Sequence, residues 1–138
     1  MERREINEKK KEYLNKYHET KKREKRILDE IERLRMDKMY PSLVINDMPH
    51  TTGHNDLSDY MVKVDEQIQK LNEELSKKAG IYEDITRRIG KLKSGDEQDV
   101  LFLRYISGMK WEEIAVKMEY SHKHIYKIYG RALNNFEI

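Results

Sequence analysis

From Ile6, the positions Ile6, Lys10, Tyr13, Tyr17, Thr20, Glu24, Ile27, Ile31 and Leu34 advance by alternating steps of four and three. That rhythm lines one side of a helix whose neighbour is another helix, because 3.5 residues per turn keeps a seam facing its partner. Polar Lys10, Thr20 and Glu24 weaken the first part, whereas Leu28 beside Ile27, Ile31 and Leu34 makes the second part firmer. The rhythm stops over residues 39–56, where Pro41, Pro49 and Gly53 stand among Asn, Asp, Thr and Ser and cannot all sit in a regular helix. It returns in Leu57, Met61, Val64, Ile68, Leu71, Leu75, Lys78, Tyr82, Ile85, Ile89 and Leu92, the most regular pattern in the chain. One helix over 57–93 would be about 55 Å long at roughly 1.5 Å per residue, with Gly80 or Gly90 as places to bend. The two seams can meet as an antiparallel hairpin within one chain or across a homodimer, and periodicity permits either.

Lys93-Ser94-Gly95-Asp96 reads as a stop followed by a start, with Ser or Asp capping what comes next. Val100, Leu101, Leu103, Arg104 and Tyr105 predict a short helix closed by Ser107-Gly108, and Trp111 to Met118 predicts another. After the tight turn Glu119-Tyr120-Ser121, Ser121 caps a final helix that runs to about Asn135. The expected architecture is all-α: a helical hairpin or coiled-coil stalk over 1–93, then a helix-turn-helix unit over 94–138.

Composition agrees with long helices around a narrow seam. Of 138 residues, 39% are charged, and there are only two prolines and six glycines. With no cysteine there is no disulfide framework and no thiolate metal site. Met1-Glu2-Arg3-Arg4-Glu5 leads into charge and no run of about 18 apolar residues follows, so the expectation is a cytoplasmic chain without membrane contact. Net charge is only +2, so attraction to a polyanion must come from local clustering rather than from the whole molecule.

Such clustering occurs in the last helix. Ile125, Ile128 and Ala132 supply its apolar side, and Ile114 with small Ala115 lets the preceding helix cross closely. The opposite side carries Lys123, Lys127 and Arg131 at four-residue intervals, flanked by His122, His124 and Tyr126. A helix of this kind fits a major groove about 12 Å wide, and its amino end beside Ser121 and His122 favours a phosphate. Trp111 is read as packing at a helix start, with an indole N–H that could reach a phosphate at the groove edge. The candidate DNA-binding residues are therefore Trp111, Ser121, His122, Lys123, His124, Tyr126, Lys127 and Arg131. Lys9-Lys10-Lys11 and Lys21-Lys22-Arg23, interleaved with acids, read as a solvated helix face, with nonspecific phosphate contact as the alternative.

The run Val100-Leu101-x-x-Arg104-Tyr105, then Gly108, Trp111-Glu112-Glu113-Ile114-Ala115, Ser121, Ile125, Ile128 and Arg131-Ala132-Leu133 resembles the promoter-reading fourth region of bacterial sigma factors over nearly the last third of the chain. More loosely, Glu12-Tyr13-Leu14, Ile31-Glu32-Arg33-Leu34 and Asp47-Met48-Pro49-His50 are similar to phage and prophage sigma-like regulators of the ArpU/RinA type. The resemblance implies control of phage transcription, with His122, Lys123, Tyr126 and Lys127 contacting double-stranded DNA and RNA polymerase as a further partner. This chain carries His, Lys, His and Tyr where sigma factors usually place arginines and a glutamate, and it has no counterpart of their promoter-melting region. The reading is a sequence-specific regulator rather than a complete sigma factor.

Other chemistries are less well supported. His50 and His54 stand near Asp47 and Asp56, but in a Pro/Gly loop that does not align them as metal ligands. No nucleophile, acid and base form a catalytic set, so neither an enzyme nor a cofactor is expected. A small terminase-like packaging protein and a polymerase-binding interaction protein remain as alternatives, since both can join such a unit to helical association segments.

Overall fold

The computed structural model describes residues 2–39 and 54–138, and every regular element among them is a helix. These are α1 (Arg3–Leu14), α2 (Lys16–Met39), α3 (His54–Ile89), α4 (Gly95–Leu101), a π-helical turn (Phe102–Ile106), α5 (Trp111–Met118) and α6 (His122–Asn135). The all-α class expected from the pattern is what the chain adopts. None of these helices is long and apolar enough to cross a membrane.

Local chemistry accounts for the boundaries. Asn15 interrupts α1 and α2 only slightly: its N–H still donates to the Lys11 carbonyl at 2.9 Å, and the Glu19 N–H donates to the Asn15 carbonyl at 3.1 Å. The Thr20 hydroxyl donates back to the Tyr17 carbonyl at 2.6 Å, the kind of bond that bends a helix. Residues 54–56, expected in the loop, form the first turn of α3 instead. The remaining loop residues, 40–53, lie outside the described residues. Ser94 and Ser121 cap α4 and α6, their hydroxyls accepting from the Glu97 and His124 N–H groups at 3.3 and 3.2 Å.

Contacts divide the chain into two compact units that differ from the expected boundary at 93/94. One comprises Met1–Lys21 with Lys77–Ile138, and the other Lys22–Ser76. The reason is visible in the first unit's core. Leu14 and Phe136, both fully buried, join Tyr17, Ile85, Ile89, Leu92, Leu101, Ile106, Ala132 and Leu133 in one cluster, so α6 is packed on helices from both ends of the chain. The Lys10 ammonium lies under this contact and donates to the Leu133 and Asn134 carbonyls at 2.8 and 3.3 Å, where α6 leaves acceptors unsatisfied. Burial holds its pKa below the ordinary lysine value, the nearby Glu137 opposing that shift. Asn7 also bonds Asn134 at 3.0 Å, and Arg88 bonds the Glu137 carbonyl at 3.3 Å.

The second unit is an antiparallel pair, since Arg23 Nε reaches both Glu74 oxygens at 3.1 Å while Lys38 lies 6.0 Å from the Tyr60 ring centre. Its half-buried line is Ile27, Ile31 and Leu34 on α2, with Tyr60, Val64, Gln67, Leu71 and Glu74 on α3. Thus several expected positions on α3 face out: Met61 is 55% exposed, and Leu57, Ile68 and Leu75 are exposed as well, like Leu28 on α2. Glu74 takes the inward place beside Leu75 because its carboxylate is held by Arg23.

Two substitutions test the shared core. Leu14→Ala should lower unfolding free energy by about 2–5 kcal/mol, the usual cost of emptying such a site. Trp111, the only tryptophan, should report that loss in its fluorescence transition, whereas an independently folding 94–138 segment would leave it unmoved. Tyr13→Phe should stabilise by up to about 1 kcal/mol, because the Tyr13 hydroxyl is buried without a partner among the described residues.

Candidate nucleic-acid interface

A second cluster sets the angle between the last two helices. Ile114 and Ala115 of α5 pack with Val100, Ile125 and Ile128, and Leu103, Met109, Trp111, Met118 and Tyr129 close its edges. Between α5 and α6 the chain reverses at Glu119, whose φ of 59° is left-handed, a conformation that costs a side-chain-bearing residue about 1 kcal/mol. The Tyr120 hydroxyl anchors this turn to Asp96 at 2.8 Å. Helix, tight turn and helix thus occur at the expected residues.

Because Ile125, Ile128, Ala132 and Leu133 are spent on the two cores, α6 must present its other side outward. His122, Lys123, Lys127 and Arg131 are all exposed there, and Tyr126 is 50% exposed. The helix contains no Asp or Glu between His122 and Asn135, so this side is cationic although the chain as a whole is nearly neutral. His124, Tyr126, Lys127, Gly130, Arg131 and Asn134 border one shallow hollow along it.

The expected residues do not all stand equally free. Ser121 is exposed, but its hydroxyl is engaged in the cap. His124 is half-buried with its ring edge-on to Tyr120, 4.6 Å between centres, so it shapes the turn. Trp111 is half-buried at the start of α5, its ring 4.6 Å from Tyr129 and 5.3 Å from Tyr126. Packing at a helix start, expected for Trp111, describes this placement.

Beside Trp111 the structure assembles groups that sequence reasoning did not join. The π-helical turn, marked by the Ser107 N–H donating to the Phe102 carbonyl at 3.0 Å, swings Arg104 over the indole at 4.6 Å. Its guanidinium also donates to the Met109 carbonyl at 3.1 Å, which fixes it in place. Gly108 follows with a φ of 71°, a turn that glycine makes without strain. Lys11, His18 and Lys21 approach the same cleft from α1 and α2. In sequence Lys11 and Lys21 belonged to charged runs read as a solvated face, with nonspecific phosphate contact as the alternative, and only the packing of α1 on α6 reveals the common direction they share with His18.

At the inner wall the Tyr105 and Tyr129 hydroxyls share a hydrogen bond of 2.6 Å. Burial raises both pKa values, and for Tyr129 the bond to its partner adds to the rise. Among the described residues no cluster of three or more His, Asp or Glu side chains is placed to hold a metal ion. The side chains of His54 and Asp56, like residues 47 and 50, lie outside the described residues. Compared with known proteins, the chain matches no family description, no curated protein and no solved structure.

The tyrosine pair has a pH signature. Folded pKa values raised above the unfolded value of about 10 mean that the pair's contribution is intact below that pH and is lost as pH rises beyond it. Tyr129→Phe should cost about 1 kcal/mol at neutral pH. In urea denaturation above about pH 10 the variant should lose less stability than the parent, and parallel losses would discount the pair.

Proposed function

We propose that this chain is a cytoplasmic, phage-derived, sigma-like transcription regulator that reads duplex DNA with α6. One observation carries the reading: α6 keeps a cationic side free of acids exposed, while α5 holds its apolar side at a set angle. His122, Lys123, Tyr126, Lys127 and Arg131 are the residues we assign to DNA. Lys123, Lys127 and Arg131 suit phosphates or guanine edges, and Tyr126, braced by Trp111, suits contact at the groove wall. Ser121 contributes through the amino end of α6, where backbone N–H groups and the helix dipole favour an anion. The resemblance to the fourth sigma region points the same way, and RNA polymerase is the partner it brings into the proposal.

Selection of genomic fragments on the immobilised protein should recover a defined duplex. Titration of that duplex at several salt concentrations should give a steep log–log dependence, and Lys127→Ala should flatten the slope by about 0.9 for each phosphate contact removed. Recovery of random fragments only, at every salt concentration, would overturn the reading.

A further inference from the structure

The cleft beside Trp111 is unlike the rest of this evenly charged chain. Lys11, His18, Lys21 and Arg104 border it, Trp111 and Tyr126 form an aromatic wall, and no Asp or Glu is among its lining residues. In a sequence with 26 acids against 28 Lys and Arg, three of those cations and a histidine around one opening with no acid in its lining is a pronounced local excess. Its volume of about 550 Å³ exceeds by far the ~30 Å³ of a water molecule, so the space admits a ligand group and is no packing defect.

The cations here are held at specific positions. Arg104 lies on Trp111 at 4.6 Å, Lys21 over the Tyr17 ring at 4.9 Å, and Lys11 is 6.0 Å from the Tyr129 ring. Lys11 also meets Glu8 at 3.1 Å, which leaves Lys21 and Arg104 as the main source of positive potential, with the His18 imidazole beside them. Tyr126 belongs both to this wall and to the exposed side of α6, so a polyanion lying on that side reaches the opening with its next backbone groups.

We infer that this cleft binds a backbone phosphodiester of the duplex lying on α6, so that Lys21 and His18, far from the helix-turn-helix in sequence, extend the DNA-binding surface onto α2. The inference rests on the reading of α6 given above. It adds an anchor that carries no base information: phosphate contacts set position and affinity, whereas base edges set sequence preference.

The test uses the full chain and the selected duplex. Lys21→Ala should flatten the salt dependence by about 0.9 and leave the preferred sequence unchanged, while Lys21→Arg should keep the parental slope. His18→Ala should weaken binding without altering sequence preference, and the Trp111 indole ¹⁵N–H resonance should shift on adding duplex. A parental slope in Lys21→Ala, alongside a flattened slope in Lys127→Ala, would overturn the cleft assignment and leave α6 as the reader. Titration with inorganic phosphate separates the two sources of the anion. If phosphate alone saturates the Trp111 shift at millimolar concentration while Lys21→Ala binds duplex as the parent does, the site belongs to the free ion and the inference fails. Failure of the parent chain to bind any duplex would instead remove the reading of α6 and this inference together.

Discussion

The contact on which the first unit depends is the seating of α1 on the carboxyl end of α6. Leu14 and Phe136 lose all their exposed surface in it, and Lys10 satisfies carbonyls at the point where α6 runs out of its own donors. A cation at a helix carboxyl terminus also complements the negative end of the dipole, so one ammonium group serves packing and electrostatics together. Its desolvation is offset by two carbonyl acceptors. Once this end of α6 is fixed from one direction and α5 crosses it from the other, rotation of α6 about its axis is excluded, and its cationic side has a single orientation.

Much of this was legible in the sequence, and the parts that were not share a physical cause. Trp111 to Met118, the Ser121 cap and the inward Ile125, Ile128 and Ala132 follow from local spacing, because a helix of 3.6 residues per turn leaves little choice once its apolar side is set. The seam of α3 was only half legible. Apolar residues at Leu57, Met61, Ile68 and Leu75 are as regular as those at Val64 and Leu71, and periodicity cannot tell which file faces the partner. The inward file carries a charge pair, Arg23 with Glu74, whose two halves are 51 positions apart. Leu14, fully buried, stands outside the expected seam of the first helix because it joins a cluster that draws on α6 as well as on α3.

The cleft by Trp111 was illegible for the same reason. Arg104 is turned by a π-helical bulge, which no spacing rule anticipates, and Lys11, His18 and Lys21 acquire meaning only from what α1 and α2 pack against. Net charge misleads in the same way. Residues 94–138 hold 6 basic and 7 acidic side chains, yet the acids lie on α4, on α5, at the turn and at the end, and α6 contains none. For nucleic-acid contact, what matters is how the sign of charge is distributed among helix faces.

The interleaving of the first unit, in which Lys10 bonds a carbonyl 123 positions later, bears on how the protein is made. At about 5–20 residues per second, a ribosome needs roughly 6–25 s to pass from one to the other. During that interval Leu14 and Tyr17 gain only part of their cover, from Ile85, Ile89 and Leu92, whereas Lys22–Ser76 is made early and is free to pair with itself. Closure of the first unit therefore waits for residues made after the whole of the second, and an interruption between the two would leave the middle pair built while α1 still lacks α6.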